Sequence, residues 1–217
     1  MQEINFNLLK KKLPVYPEII DKDEYFNSSV LIPFIKVQDE FHLLFEKRAE
    51  KIRQGGEISF PGGEFDKDID KSLKNTAIRE TIEELRIPKD KIKVICQLGI
   101  LTVPGVIVHA FIAKIEIKDS SEIDFDKTEV EKIFTVPVSF FKNNPPVVHH
   151  VRLEAHPFYI DDEGNKIELL PVEKLNLPPR YSKPWGKIKR KVYFYNYNGE
   201  TIWGLTAAMV KRVVELL

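Results

Sequence analysis

The sequence has a single cysteine, no long hydrophobic run and no excess of charge of either sign. One cysteine excludes an internal disulfide and is typical of a reducing compartment, so we predict a cytoplasmic protein. Cys96 lies in the apolar run KVICQLGI and is predicted to be a core residue. No segment approaches the roughly 20 apolar residues of a membrane span, and the N-terminus lacks the apolar stretch of a signal peptide. The balance of 33 basic and 33 acidic residues gives no reason to expect nucleic acid as a partner.

Strand-like segments dominate the chain, and helices are few. Apolar and β-branched runs predict strands and hairpins, including one across the turn at Asn198-Gly199, whereas helices are expected at 72–86 and from about Thr206 to Leu217. A further short helix is expected to end before Pro14. We predict one α+β domain over residues 1–217, with an N-terminal extension over about 1–27 and a proline-rich loop over about 161–190.

The segment TAIRETIEELRI, residues 76–87, is predicted to form an amphipathic helix. At 100° per residue, Ile78, Ile82 and Leu85 share one face that would pack on a sheet. Glu80, Glu83 and Glu84 would then share the opposite, solvent-facing side. Three carboxylates within one turn repel one another, which costs a few tenths of a kcal/mol per pair.

Two interpretations of this acidic face stand side by side. It is either a solvated charged surface or a platform for a hard cation such as Mg²⁺, which takes oxygen ligands and retains waters. The residues before the helix favour the cation, because the short strand EISF ends in Pro61-Gly62-Gly63. Backbone without side chains can approach a phosphate or a metal closely.

The stretch GGEFDKDIDKSLKNTAIRETIEELRI resembles the Nudix box, the signature of hydrolases that cleave a nucleoside diphosphate linked to another moiety. Its closing pattern is Arg-Glu-apolar-x-Glu-Glu-x-Gly-apolar, and Arg79, the three glutamates and Ile87 occupy their places. Thr81 replaces an apolar residue, and Arg86 replaces the late glycine. The interval before Arg79 is two residues longer than standard, so Asp68 or Asp70 is the nearest candidate for the early acid.

The upstream stretch LLFEKRAEKIRQGGEISFPGG resembles the extra motif of the coenzyme A diphosphatase branch of the same family. That branch also lengthens the interval before the helix. The shared residues include Arg48, Arg53, Phe60 and both glycines of the Pro-Gly-Gly loop, whereas Gln54 stands in place of a histidine. The similarity runs in pieces from about residue 29 to the C-terminus.

The resemblance implies an αβα sandwich around a central mixed β-sheet, with Mg²⁺ or Mn²⁺ as the cofactor. Glu80, Glu83, Glu84 and the Gly62 carbonyl would bind metal. The catalytic residues would be Glu80 and Glu84 with a base that varies within the family, for which a box glutamate, Glu129 or Glu131 are the candidates. The substrate would contact Arg48, Arg53, Phe60, Gly62 and Gly63. A solvated turn for Glu129 and Glu131, and surface salt bridges for the two arginines, are the competing interpretations.

The leading functional hypothesis is a diphosphatase of coenzyme A or its derivatives that yields 3′,5′-ADP and 4′-phosphopantetheine. Its partner would be a small nucleoside diphosphate compound, and a homodimer is left open. A second hypothesis is a diphosphatase of ADP-ribose, NADH or dinucleoside polyphosphates. A third, of another class, is a binding or regulatory module without catalysis, which Arg86 and the altered loop length motivate.

Overall fold

The structure, a computed structural model, describes residues 6–12, 19–117 and 120–217. The chain divides into two compact units, residues 1–138 and 139–217. The single domain predicted for residues 1–217 stays a prediction, which one cooperative unfolding transition would support. The helix expected before Pro14 is α1 (Phe6–Lys12), whereas Pro14 itself lies outside the described residues. Across the described segments, no helix has the length and apolarity that crossing a membrane requires.

The first unit is built on a seven-stranded mixed sheet. Its strands are β1 (Phe26–Val37), β2 (Glu40–Arg48), β3 (Ile58–Ser59), β4 (Gly62–Glu64), β5 (Ile92–Val103), β6 (Val106–Ile115) and β7 (Val130–Pro137). The main order is β3-β2-β1-β6-β5, with β4 paired to β1 and β7 paired to β2. Only β1 and β6 run parallel among the paired strands, from Phe26 opposite Val106 to Ile35 opposite Ile115. The sheet is therefore mixed, as predicted.

The helix α2 (Leu73–Leu85) packs on this sheet. Ser72 caps its N-terminus, where the serine Oγ accepts a hydrogen bond from the Asn75 N–H at 3.3 Å. The core beneath the helix is formed by side chains from β1, β2, β6, β7, α2 and two connecting segments, namely Leu31, Ile35, Leu44, Ala77, Leu85, Ile87, Phe111, Ala113, Ile115, Ile123 and Val130. Short 3₁₀ helices at 22–24, 89–91 and 120–122 join the elements.

The second unit holds a three-stranded antiparallel sheet and a terminal helix. The strands β8 (Val147–Ala155), β11 (Trp185–Tyr197) and β12 (Glu200–Trp203) form the order β12-β11-β8, and α4 (Gly204–Leu216) packs on it. A small hairpin pairs β9 (Phe158–Ile160) with β10 (Lys166–Glu168), and a 3₁₀ helix spans 179–182. The helix α3 (Val138–Asn143) crosses the boundary between the units.

These elements confirm the α+β class with a central mixed sheet. The hairpin at Asn198-Gly199 is confirmed too, since both residues have positive φ, 49° and 85°. The loop predicted over 161–190 is shorter, because β11 already begins at Trp185. The core position predicted for Cys96 is wrong: its side chain is exposed. It lies on β5, the edge strand, where two irregularities in the pairing with β6 break the alternation of faces.

Candidate active site

The helix α2 meets the sheet through a different face from the one predicted. Its buried residues include Ala77, Thr81, Glu84 and Leu85, whereas Ile78 and Ile82 are only half-buried. The small side chains of Ala77 and Thr81 let the helix approach the sheet closely. The Thr81 hydroxyl donates to the Ala77 carbonyl at 2.7 Å, so its polarity is satisfied in place of the apolar residue of the motif. The solvent-facing position predicted for Glu84 is therefore wrong, since only 2% of this residue is exposed.

The Pro-Gly-Gly segment is a strand as well as a loop. Gly62 and Gly63 belong to β4 and pair with Val30 and Ser29 of β1. The Gly62 N–H donates to Glu84 Oε2 at 2.9 Å. A Cβ atom on Gly62 would lie 2.3 Å from the Ser29 carbonyl oxygen, and one on Gly63 would lie 2.4 Å from Glu80 Cδ. A side chain at Gly62 would thus collide with the backbone of β1, whereas the absence of one at Gly63 leaves room for the Glu80 carboxylate beside β4.

A fourth glutamate, which the motif comparison did not single out, lies beside Glu84. Glu46 on β2 is fully buried, and its Oε1 accepts a hydrogen bond from the Ser59 hydroxyl at 2.9 Å. Arg48 Nη1 lies 3.8 Å from Glu46 Oε1 and 3.8 Å from Glu84 Oε1. Glu46 is in phase with the buried Leu44 two residues earlier on the strand. This inward position was the available sequence signal for its burial.

Burial and mutual repulsion make full ionisation of this cluster unfavourable. Burial raises the pKa of Glu84, and the nearby charges of Glu46 and Glu80 raise it further. The pKa of Glu46 is also raised, first by burial and then by Glu129 and Glu80. Burial likewise raises the pKa of Glu80. A cation would reverse these shifts, because an opposite charge favours the ionised carboxylate.

Arg79 links the helix to the segment before it. Its guanidinium donates to Asp70 through Nε at 3.0 Å and Nη2 at 2.9 Å, a bidentate pair. The same guanidinium lies 2.7 Å from Glu80 Oε1 and 2.9 Å from Glu83 Oε2. Asp70 is 7% exposed, whereas Asp68 belongs to the exposed surface. Of the two candidates for the early acid, the structure therefore places Asp70 against the arginine.

The two candidate bases of the later segment differ in position. Glu131 forms an ion pair with Lys47 at 2.9 Å. Lys47 follows Glu46 on β2, so this pair lies on the opposite face of the strand from the buried carboxylate. Glu129 is exposed and lies in a turn, yet its charge raises the pKa of both Glu46 and Glu80. Glu129 is thus the one of the two whose charge acts on the cluster.

Besides the two glycines, three residues were predicted to contact substrate, and each lies in a different environment. Arg48 lies among the buried carboxylates and also donates from Nε to the Arg53 carbonyl at 3.1 Å. Arg53 is exposed, and its guanidinium carbon lies 4.9 Å from the centre of the Phe26 ring. Phe60 is 2% exposed and stacks on Phe45 at 4.8 Å. The Phe60 side chain therefore packs in the core and is not exposed to a substrate.

The carboxylate oxygens near Gly62 and Gly63 are of the kind that a hard cation binds, but the side chains do not meet at a single point. Within the described segments, no three His, Cys, Asp or Glu side chains come close enough together to hold a metal ion. Arg79 keeps Glu83 on the outer side of the helix, where its side chain is 55% exposed. The carboxylates of Glu80 and Glu84 do lie against the Gly62-Gly63 backbone, and Glu46 Oε2 is buried without a hydrogen-bond partner. Oxygen donors with a free buried lone pair suit Mg²⁺ or Mn²⁺, particularly one that retains waters.

The chain matches known proteins over nearly its whole length. No family model matches the sequence. The chain is 26% identical over 217 residues to the uncharacterized Nudix hydrolase NudL of Yersinia pestis, with 96% of this chain and 91% of the relative covered. NudL of Yersinia pseudotuberculosis matches equally well. These matches support the resemblance to the Nudix hydrolase superfamily that the sequence motifs indicate.

Solved structures of Nudix proteins resemble the chain more loosely. A MutT/nudix family protein from Enterococcus faecalis aligns over 97% of this chain and 65% of its own, with 15% identity and a TM-score of 0.45. The Ap4A hydrolase of C. elegans aligns over 52% of this chain and 80% of its own, with 19% identity and a TM-score of 0.43. These values are too low to support a statement about substrate.

Proposed function

We propose that this protein is a divalent-metal-dependent Nudix hydrolase that cleaves the diphosphate of coenzyme A or its derivatives to 3′,5′-ADP and 4′-phosphopantetheine or its acyl form. The observation that supports hydrolase activity is the placement of Glu80 and Glu84 against the backbone of Gly62 and Gly63, with Arg48 beside them. The choice of coenzyme A rests on the resemblance of the upstream motif alone.

In this proposal Glu80, Glu84 and the Gly62 carbonyl hold Mg²⁺ or Mn²⁺, and Glu83 is a further ligand or a partner of one. The cation, when bound, supplies charge neutralisation of the diphosphate and lowers the pKa of an attacking water. Arg79, fixed by Asp70, orients Glu80. The remaining work of the chain is positioning and electrostatic stabilisation of the phosphates, as is usual in phosphoryl transfer.

Arg48 and Arg53 are proposed to bind phosphate oxygens, for which the planar guanidinium is well shaped. Arg48 Nη1 is 3.8 Å from two carboxylates, which is beyond hydrogen-bond distance, so it keeps donor capacity for a phosphate. Glu129 is the proposed general base of the later segment, because its charge acts on the carboxylate cluster. Glu80 is the alternative.

One assay tests the function. Purified protein is incubated with Mg²⁺ or Mn²⁺ and a panel of coenzyme A, acyl derivatives, ADP-ribose, NADH and dinucleoside polyphosphates, and the products are identified by mass. Turnover of coenzyme A well above the other compounds is expected. Preference for another member would support the second hypothesis, and folded protein without any turnover would favour the non-catalytic module.

We also propose that the protein acts in the cytoplasm, on the ground of its single cysteine and reducing-compartment composition. Fractionation of cells that produce the native chain tests this location. A homodimer is compatible with the sequence, and its mass in solution is measured by light scattering.

A further inference from the structure

Glu46 is a buried acid with one unsatisfied oxygen. The residue is fully buried on the interior strand β2, and its Oε1 accepts a hydrogen bond from the Ser59 hydroxyl at 2.9 Å. Its Oε2 has no hydrogen-bond partner, the only such buried side-chain atom found within the described segments. Leaving a buried polar atom without a partner is costly, and more so for a charged group. Such an atom needs a physical explanation.

Pairing with Arg48 does not explain this burial fully. The closest approach joins Arg48 Nη1 to Glu46 Oε1, the oxygen that Ser59 already satisfies, and at 3.8 Å it is no hydrogen bond. The same Nη1 lies equally far from Glu84 Oε1. One guanidinium therefore serves two buried carboxylates, and ionisation of both would leave one negative charge uncompensated. The negative charges of Glu129 and Glu80 also act on Glu46.

We propose that Glu46 is a positioning residue of the metal site, whose Oε2 accepts a hydrogen bond from a water in the coordination shell of the cation held by Glu80 and Glu84. This inference rests on the proposed function. A contact through water agrees with the fact that no three acidic or histidine side chains within the described segments converge on one point. Mg²⁺ and Mn²⁺ fit such an arrangement, because Mg²⁺ usually keeps several waters while only one or two carboxylates bind it directly.

The test measures Mn²⁺ binding to the full chain by electron paramagnetic resonance, which reports free Mn²⁺ and needs no substrate. Partners one step beyond the metal ligands typically change metal affinity by about 10–100-fold when mutated. Glu46→Gln keeps the shape of the side chain and is expected to weaken Mn²⁺ binding by about 10-fold or more. The matched control is Glu116→Gln, which removes an exposed carboxylate paired with Lys114 at 3.4 Å and should leave the affinity unchanged.

A second readout separates this role from that of a counter-ion for Arg48. In the presence of EDTA, Glu46→Gln should melt at the same temperature as the wild type or higher, because it relieves repulsion with Glu84. Added Mn²⁺ should then raise its melting temperature less than it raises that of the wild type. A variant that melts lower in EDTA and binds Mn²⁺ with wild-type affinity would overturn the inference.

The proposed function can fail separately. If Glu84→Gln and Glu80→Gln both bind Mn²⁺ like the wild type, the metal site itself is misassigned. If those two lose binding and Glu46→Gln does not, only the role of Glu46 is refuted. Should Glu46→Gln fail to fold, Glu46→Asp keeps the charge but withdraws the oxygen by one methylene; weakened Mn²⁺ binding would support the role, and unchanged binding would refute it.

Discussion

Gly63→Ala is expected to weaken metal binding and hydrolysis while leaving the protein folded. The three atoms nearest to the added Cβ all belong to the Glu80 carboxylate, at 2.4, 2.5 and 2.7 Å. Ordinary contact begins near 3.4 Å, so the carboxylate must retreat by about 1 Å. A misplacement of that size can reduce a rate by about 100-fold. Because φ of Gly63 is not positive, alanine causes no backbone strain, and the flexible glutamate can move at a cost below about 1 kcal/mol.

The neighbouring glycine supplies the contrast. A Cβ on Gly62 would meet the backbone of β1, at 2.3 Å from the Ser29 carbonyl oxygen and 2.7 Å from Val30 Cα. Neither atom can move without disturbing the pairing of β4 with β1. Gly62→Ala should therefore lower the free energy of unfolding by about 3 kcal/mol.

Three measurements on each variant decide the outcome: the rate of hydrolysis of the preferred substrate, Mn²⁺ affinity and thermal unfolding. Gly99→Ala is the control, since no heavy atom lies within 4 Å of its Cβ position and its φ is not positive. Wild-type Mn²⁺ affinity and rate in Gly63→Ala would refute the placement of Glu80 at the metal site. A loss of stability in Gly63→Ala equal to that in Gly62→Ala would refute the distinction between the two glycines.

Three further outcomes are expected. Glu84→Gln should lose most of the hydrolytic activity. Because burial raises the pKa of Glu84, the metal-free wild type should lose stability relative to the variant as the pH rises above the ordinary pKa of 4.5. Parallel curves of stability against pH for the two proteins would contradict this. Asp70→Asn should lower the free energy of unfolding by about 2 kcal/mol at pH 7. Arg79 lowers the pKa of Asp70, so this difference should shrink as pH falls through that lowered pKa in acid unfolding curves; a pH-independent difference would speak against the ion pair. Arg86→Gly should raise the melting temperature by about 2–4 °C, because Arg86 has φ of 49°, and a lower melting temperature would mean that its contact with Asp124 outweighs the strain.

The helix and the glycine loop were predictable because their signals are local. Ser72 caps α2 at the residue where the predicted helix begins, and Arg86 ends it in the left-handed conformation that the late glycine of the motif would adopt. This residue departs from the motif in type while keeping the backbone geometry of the helix exit. The strand character of β4 was not predictable, since Gly62 and Gly63 pair with β1 only because that strand lies beside them.

The orientation of α2 was mispredicted for a physical reason. Hydrophobicity placed Ile78 and Ile82 towards the sheet, but close packing of Ala77 and Thr81 turned the helix and brought Glu84 inside. The periodicity of a helical sequence shows which face is more apolar, whereas the burial of each side chain depends on the surface against which the helix packs. The same limit applies to Cys96, whose apolar neighbours predict burial but whose strand is an edge.

The sequence by itself determined the mixed α+β class, the acidic helix and the resemblance that gathers Arg79 and its glutamates into one motif. Those features depend on residue type and short spacing, which the chain carries without folding. Only the tertiary structure decided that Glu46 joins Glu84 in the interior, that Asp70 holds Arg79, and that the charge of Glu129 acts on the cluster while Glu131 pairs with Lys47. These side chains come from separate elements, and their distances arise when β2, β4 and α2 pack together. Electrostatic energies depend on those distances and on burial, so the chemistry of the site is a property of the packed molecule.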